Sequence, residues 1–218
     1  MSALRELKVW INDQHLGSLG SQDDIWRFQY SPSWLAYEKR FALAPAFALR
    51  AEAFVDGSDV RPVQWYFDNL LPEEQLRSVL AKEANIAEAD AFGLLAYCGA
   101  ESAGSLVLSS GEASSEKGWL ELPLDKLNDR IVNLPTATLN QLAPKRMSLA
   151  GAQHKMVVGY RAGTLYEPMP GTASTHILKP ESLSSHYPHS VINEFFCMSL
   201  PSAIWPPSSR TSLLPPMA

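Results

Sequence analysis

The sequence has no long hydrophobic run, almost no cysteine and no basic block, and each absence removes a class of protein. Lacking about eighteen uninterrupted apolar residues, it offers no candidate membrane-spanning helix. Met1 to Lys8 also lacks the apolar centre of a signal peptide, so the chain is expected in the cytoplasm and away from membranes. Its two cysteines, Cys98 and Cys197, stand far apart in apolar surroundings, which predicts free buried thiols rather than a disulfide or a metal site. Of the five histidines only His186 and His189 are close together, and with no cysteine or third histidine beside them they do not make a metal site. The formal net charge is −5 with no Lys/Arg cluster, which argues against direct nucleic-acid binding; any DNA contact would come through a partner.

What is present suits a folded protein. With 46% hydrophobic and 19% charged residues, the 218-residue chain can build one or two globular units. Leu7 to Ile11 and Gln14 to Leu19 flank Asn12 and Asp13, which tolerate left-handed backbone, so a hairpin opens the chain. Ile25 to Tyr30 alternates, with Trp26, Phe28 and Tyr30 on one face and Arg27 and Gln29 on the other, as a half-buried strand does. Val63, Phe67, Leu70 and Leu71 recur at helical spacing up to Pro72, and a second helix follows from Glu73 to about Ala84. Asp90 is placed to cap a helix from Ala91 to Tyr97 that Gly99 stops. A strand reaching Leu108 then enters Ser109 to Gly118, rich in Ser, Gly and Glu, which is the best place for a domain boundary.

Beyond that boundary, Pro123 to Leu134 predicts an amphipathic helix with Leu124, Leu127, Ile131 and Leu134 inward. Met156 to Tyr160 and Leu165 to Glu167, joined by Arg161, Ala162 and Gly163, predict a second hairpin. Ser174 to Lys179 adds a strand to that sheet, and Ser190 caps a last helix. The expected fold class is α+β.

One stretch points to chemistry. Ser148, Ala150, Gly151 and Ala152 crowd before the apolar run Met156 to Val158, and small residues let successive backbone N–H groups converge on an anion. Lys179, ending a neighbouring strand, would add a fixed positive charge to the same phosphates, as a strand lysine does in protein kinases. Taken alone, each piece has a plainer reading, because small-residue turns are more often ordinary hairpins and most lysines are solvated.

Three blocks sharpen the reading: Ser148 to Lys155 as Ser-Leu-Ala-Gly-Ala-Gln-His-Lys, Ser174 to Pro180 as Ser-Thr-His-Ile-Leu-Lys-Pro, and His189 to Phe196 as His-Ser-Val-Ile-Asn-Glu-Phe-Phe. In this order and at these separations they resemble the HipA family, bacterial serine/threonine kinase toxins of type II toxin–antitoxin systems. The likeness extends upstream through Phe67-Asp68-Asn69-Leu70-Leu71-Pro72 and through Gly99 to Leu108, and stops before Pro201. It implies an N-terminal subdomain over 1–108, a small sheet plus helices, then a linker over 109–118. A kinase-like small lobe with an antiparallel sheet would follow over 119–200. Residues 201–218, rich in Pro and Ser, are expected to be a disordered tail outside the family, with Pro201 breaking the helix before it.

The resemblance also implies site residues. Ala150, Gly151, Ala152, Gln153, His154, Lys155 and Lys179 would contact nucleotide phosphates, Glu194 would pair with Lys179, and Ser148 would be the autophosphorylated serine. A dianionic phosphate on Ser148 would repel ATP phosphates and favour an inactive loop. The intact family uses ATP and Mg2+ to phosphorylate a serine of a protein target, and its partner is a HipB-type helix-turn-helix antitoxin. Phe67-Asp68-Asn69 is not a metal-binding motif, because it precedes the phosphate loop whereas kinase metal ligands follow the lysine.

Phosphoryl transfer also needs bound Mg2+ and a carboxylate that orients the attacking hydroxyl. In the family these aspartates lie after the residues seen here, and no aspartate follows Asp129. A truncated, inactive toxin is therefore expected, with no catalytic or metal-binding residue and weak or no ATP binding. A frameshift or premature stop is the hypothesis for its origin; an intact downstream reading frame in another phase would support it. The alternative is a non-catalytic binding module that docks the antitoxin. An ordinary metabolic enzyme finds no nucleophile, metal or acid–base constellation to support it.

Overall fold

Alternating apolar residues build the first sheet. Leu7, Val9 and Ile11 of β1 (Arg5–Ile11), Leu16 and Leu19 of β2 (Gln14–Gln22), and Trp26, Phe28 and Tyr30 of β3 (Ile25–Tyr30) all face one core. The computed structural model describes residues 3–11, 14–99, 106–111, 118–134, 153–169, 172, 174–182, 185–186 and 188–204. The chain divides into two compact units, one ending at Leu178 and the other beginning at Lys179. The fold is α+β, with every strand pairing antiparallel among the described residues.

After β3 come the short α1 (Pro32–Ala36) and β4 (Phe54–Val55), then α2 (Pro62–Asp68), α3 (Glu74–Ala84), α4 (Ala91–Cys98) and β5 (Leu106–Ser109). The sheet order is β4-β3-β2-β1-β5. The β1–β2 register slips between Val9, opposite Gly17, and Trp10, opposite His15, so β2 carries one extra residue. Phe67, Phe92, Leu94 and Leu95 from the helices, with Leu71 from the connection between α2 and α3, seal the sheet. Phe92 meets Trp26 edge-on at 5.3 Å, a favoured aromatic geometry. Two polar groups inside this unit are fully paired. The Tyr30 hydroxyl donates to the Phe47 carbonyl at 2.6 Å and accepts from the Leu43 N–H at 2.7 Å. The Asp56 carboxylate accepts the Val63 and Gln64 N–H groups at 2.8 and 2.9 Å, capping α2 from outside the helix. Asp90 caps α4 through the Gly93 N–H at 3.0 Å, as its position in the sequence predicts.

The second sheet has the order β6-β8-β7-β9, from β6 (Trp119–Glu121), β7 (Met156–Arg161), β8 (Thr164–Pro168) and β9 (His176–Leu178). The β7–β8 turn places Ala162 and Gly163 at φ 47° and 86°, the left-handed pair that a tight hairpin needs. Its core, Leu122, Leu127, Leu134, Met156 and Val158, shares no residue with the first. Helix α5 (Leu124–Val132) lies over it, and Arg130 grips the buried Glu167 of β8 with two bonds of 2.6 and 3.2 Å.

Four expectations are corrected. Leu124 is 73% exposed rather than inward, because Leu122, on the far side of Pro123 and 2% exposed, fills the core beside Leu127. Cys98 is buried as expected, but Cys197 is exposed. Helix α6 (Ser190–Ile204) runs past Pro201, since a proline forfeits one helical bond while the residues after it can still bond back across the turn. Ser190 lies inside the first turn; the residue before it, His189, has the non-helical φ of 59°, and its carbonyl accepts the Asn193 N–H at 2.9 Å. Among the described residues no helix is long and apolar enough to cross a membrane.

Candidate functional site

Lys179 directly follows β9, and its ammonium forms an ion pair with Glu194, in the second turn of α6. Both side chains are part-exposed, so the pair contributes little to stability by itself and its value is positional. Four further contacts tie the same segment to the first turn of α6. The Glu181 carboxylate accepts the Ser190 N–H at 2.6 Å and the Val191 N–H at 3.3 Å. It also accepts the Ser190 hydroxyl at 3.1 Å, while the Ser182 N–H donates to the Ser190 oxygen at 2.8 Å. Loss of solvent alone would raise the Glu181 carboxyl, but these N–H and O–H donors and the nearby His189 outweigh it and hold it below the usual carboxylate range. The helix terminus, which otherwise presents unpaired N–H groups, is thus capped by a side chain from the segment that carries Lys179.

In the other unit, Gln153, His154 and Lys155 lead straight into β7 and are each part-buried. Burial pushes the His154 imidazole below its ordinary value, so it is neutral at physiological pH. Ser148, Ala150, Gly151 and Ala152 lie outside the described residues. Among the described residues, no three His, Cys, Asp or Glu side chains converge to hold a metal ion. Sequence reasoning paired Glu194 with Lys179 but missed Glu181. The usual capping signal is a residue at the helix boundary, and Glu181 lies nine positions before the Ser190 it caps.

Comparison with known proteins gives this arrangement a class. The HipA N-terminal domain family matches residues 7–109, and the HipA-like C-terminal domain family matches residues 147–215, which carries the likeness past Pro201. The chain belongs to the HipA family. It is 38% identical over 214 residues to the putative kinase Y4mE of Sinorhizobium fredii, covering 92% of this chain and 49% of that protein. It is 27% identical over 201 residues to the serine/threonine-protein kinase toxin HipA of Shewanella oneidensis, covering 89% and 43% respectively. The chain thus spans about half the length of the curated relatives it matches. Its fold is shared with HipA in the solved complex of Shewanella oneidensis HipA, HipB and operator DNA. The TM-score is 0.68 at 24% identity, over 91% of this chain and 45% of that one.

Proposed function

We propose that these 218 residues are the nucleotide-gripping half of a HipA-type serine/threonine kinase, and that by themselves they hold ATP weakly and transfer no phosphate. The observation that carries this reading is the Lys179–Glu194 ion pair. An ammonium has three N–H donors and Glu194 engages one, so a lysine held in this way can offer the others to phosphate oxygens. In this reading the backbone from Ala150 to Ala152, with Gln153, His154 and Lys155, also contacts the phosphates. Ser148 is then a phosphate acceptor, modified by another molecule. The division into an N-terminal subdomain over 1–108, a linker over 109–118 and a kinase-like small lobe over 119–200 belongs to the same proposal, as does a cytoplasmic setting. The metal that the intact family uses would supply positive charge against the ATP phosphates. No aspartate follows Asp129 to hold that ion or to orient an attacking hydroxyl, so within this stretch the residues fit the phosphates but not the metal.

The test uses the purified chain with Mg2+ and a fluorescent ATP analogue. Binding is expected to be weak and to fall about tenfold in Lys179→Ala, a loss of about 1.4 kcal/mol. No label from γ-labelled ATP is expected on the chain or on an added protein substrate. Incorporation that disappears in Lys179→Ala would overturn the absence of transfer, and unchanged analogue binding in that variant would overturn the role of the lysine.

A second reading, docking of a HipB-type antitoxin, draws support from the solved HipA relative, whose structure is a complex with HipB and operator DNA. The stoichiometric co-purification of this chain with the product of an adjacent antitoxin gene is the expected result. Separate elution of the two from a sizing column would count against it.

A further inference from the structure

Lys179, Glu181 and Ser182 are bound in turn to Glu194, to Ser190 and Val191, and to Ser190. As the chain runs from Lys179 to Ser182, its contacts run back along α6 from Glu194 to Ser190. Ser190 and Glu194 are four residues apart and share one face of the helix. The rotation of that face relative to the 179–182 segment is set where the two are tied most often, and that is at Glu181, whose carboxylate takes two backbone N–H groups and one hydroxyl. Lys179 and Glu194 have long, part-exposed side chains whose pairing alone costs side-chain entropy. A cap that fixes the helix start reduces that cost before any ligand arrives.

We propose that Glu181 is a positioning residue: by capping the first turn of α6 it sets Glu194 against the Lys179 ammonium. The inference that this positioning serves nucleotide binding rests on the function proposed above, whereas the positioning itself does not. An ordinary carboxylate is already charged at neutral pH, and the donors on Glu181 only favour that form further. The tie is therefore constant under physiological conditions and acts as a brace rather than a pH switch.

The test follows the side-chain ammonium nitrogen of Lys179 by NMR in the isotopically labelled full chain, its signal assigned by its loss in Lys179→Ala. Glu194→Gln defines the position of the unpaired signal. Glu181→Ala is expected to move the signal at least halfway to that position while the chain keeps its folded circular dichroism spectrum. Glu181→Gln, which keeps one acceptor oxygen for the Ser190 N–H, is expected to move it less. Binding of the fluorescent ATP analogue is expected to weaken roughly fivefold in Glu181→Ala. The same substitution made on top of Lys179→Ala is expected to add nothing, because Glu181 acts through the lysine. A Lys179 signal that stays at its wild-type position in Glu181→Ala would overturn the proposal whatever the nucleotide result. A signal that moves in a chain that binds no nucleotide would leave the brace standing and overturn the nucleotide reading instead.

Discussion

A buried carboxylate is tolerated only when its oxygens are filled, and Asp56, 5% exposed, meets that condition with the first N–H groups of α2. Asp56→Ala removes the cap and strands two helix donors; the expected cost is about 1–2 kcal/mol in urea denaturation, with Asp56→Asn losing less. Two histidines make stability depend on pH. Burial lowers both His15 and His154, and nearby Lys8 adds to the effect at His15. The unfolded chain, with imidazoles near the ordinary 6.5, therefore binds more protons in mild acid than the folded one does. Stability is expected to be complete above that value and to fall as pH drops through it toward the lowered folded values. Denaturation midpoints measured at about pH 7.5 and pH 5.5 should differ less in the double variant His15→Gln, His154→Gln than in the wild type.

At the scale of elements, the second sheet is closed by a contact that only glycine permits. Trp119 of β6 lies over Gly159 of β7 so closely that an added Cβ would stand 2.3 Å from the indole ring, and the Arg161 guanidinium sits 5.2 Å from the centre of that ring. Gly159→Val is expected to displace the tryptophan and cost roughly 1–3 kcal/mol, with a red-shifted tryptophan emission as the second readout. Pairing it with Trp119→Ala should recover part of the loss, since the clash is then gone. The same sheet shows how an amphipathic pattern misleads at a helix start. Leu124 keeps the spacing of Leu127 and Ile131, yet Leu122 reaches the core first from outside the helix.

At the scale of the whole molecule, the two apolar cores are separate. Among the described residues, the buried side chains of the first lie between Leu7 and Leu108 and those of the second between Leu122 and Val158, with Leu165 and Leu178 packed against the second. A fragment of residues 1–111 contains the whole first sheet and its helices, and it is expected to fold alone with a cooperative thermal transition by circular dichroism. A fragment without such a transition would show that the first core depends on the rest of the chain. Helix α6 presents a different balance: Ile192, Phe195, Phe196 and Met198 are exposed, and Glu194 is the one charged residue between Ser190 and Ile204. Association of the purified chain at high concentration is the corresponding hazard.

The amino-acid sequence by itself determined whatever is written in local period and turn chemistry. The alternation of Trp26, Phe28 and Tyr30, the Ala162-Gly163 turn and the Asp90 cap each depend on residues a few positions apart. The Lys179–Glu194 pair was legible too, through the resemblance of its blocks to the family. Tertiary structure alone decided the Asp56 cap on α2, the Arg130–Glu167 clamp, the exchange of Leu124 for Leu122 and the Glu181 brace on α6. The physical reason is that a lone pair, or a vacancy in a core, is filled by whichever group the folded chain brings within reach. That reach depends on where whole elements lie, which no local pattern records.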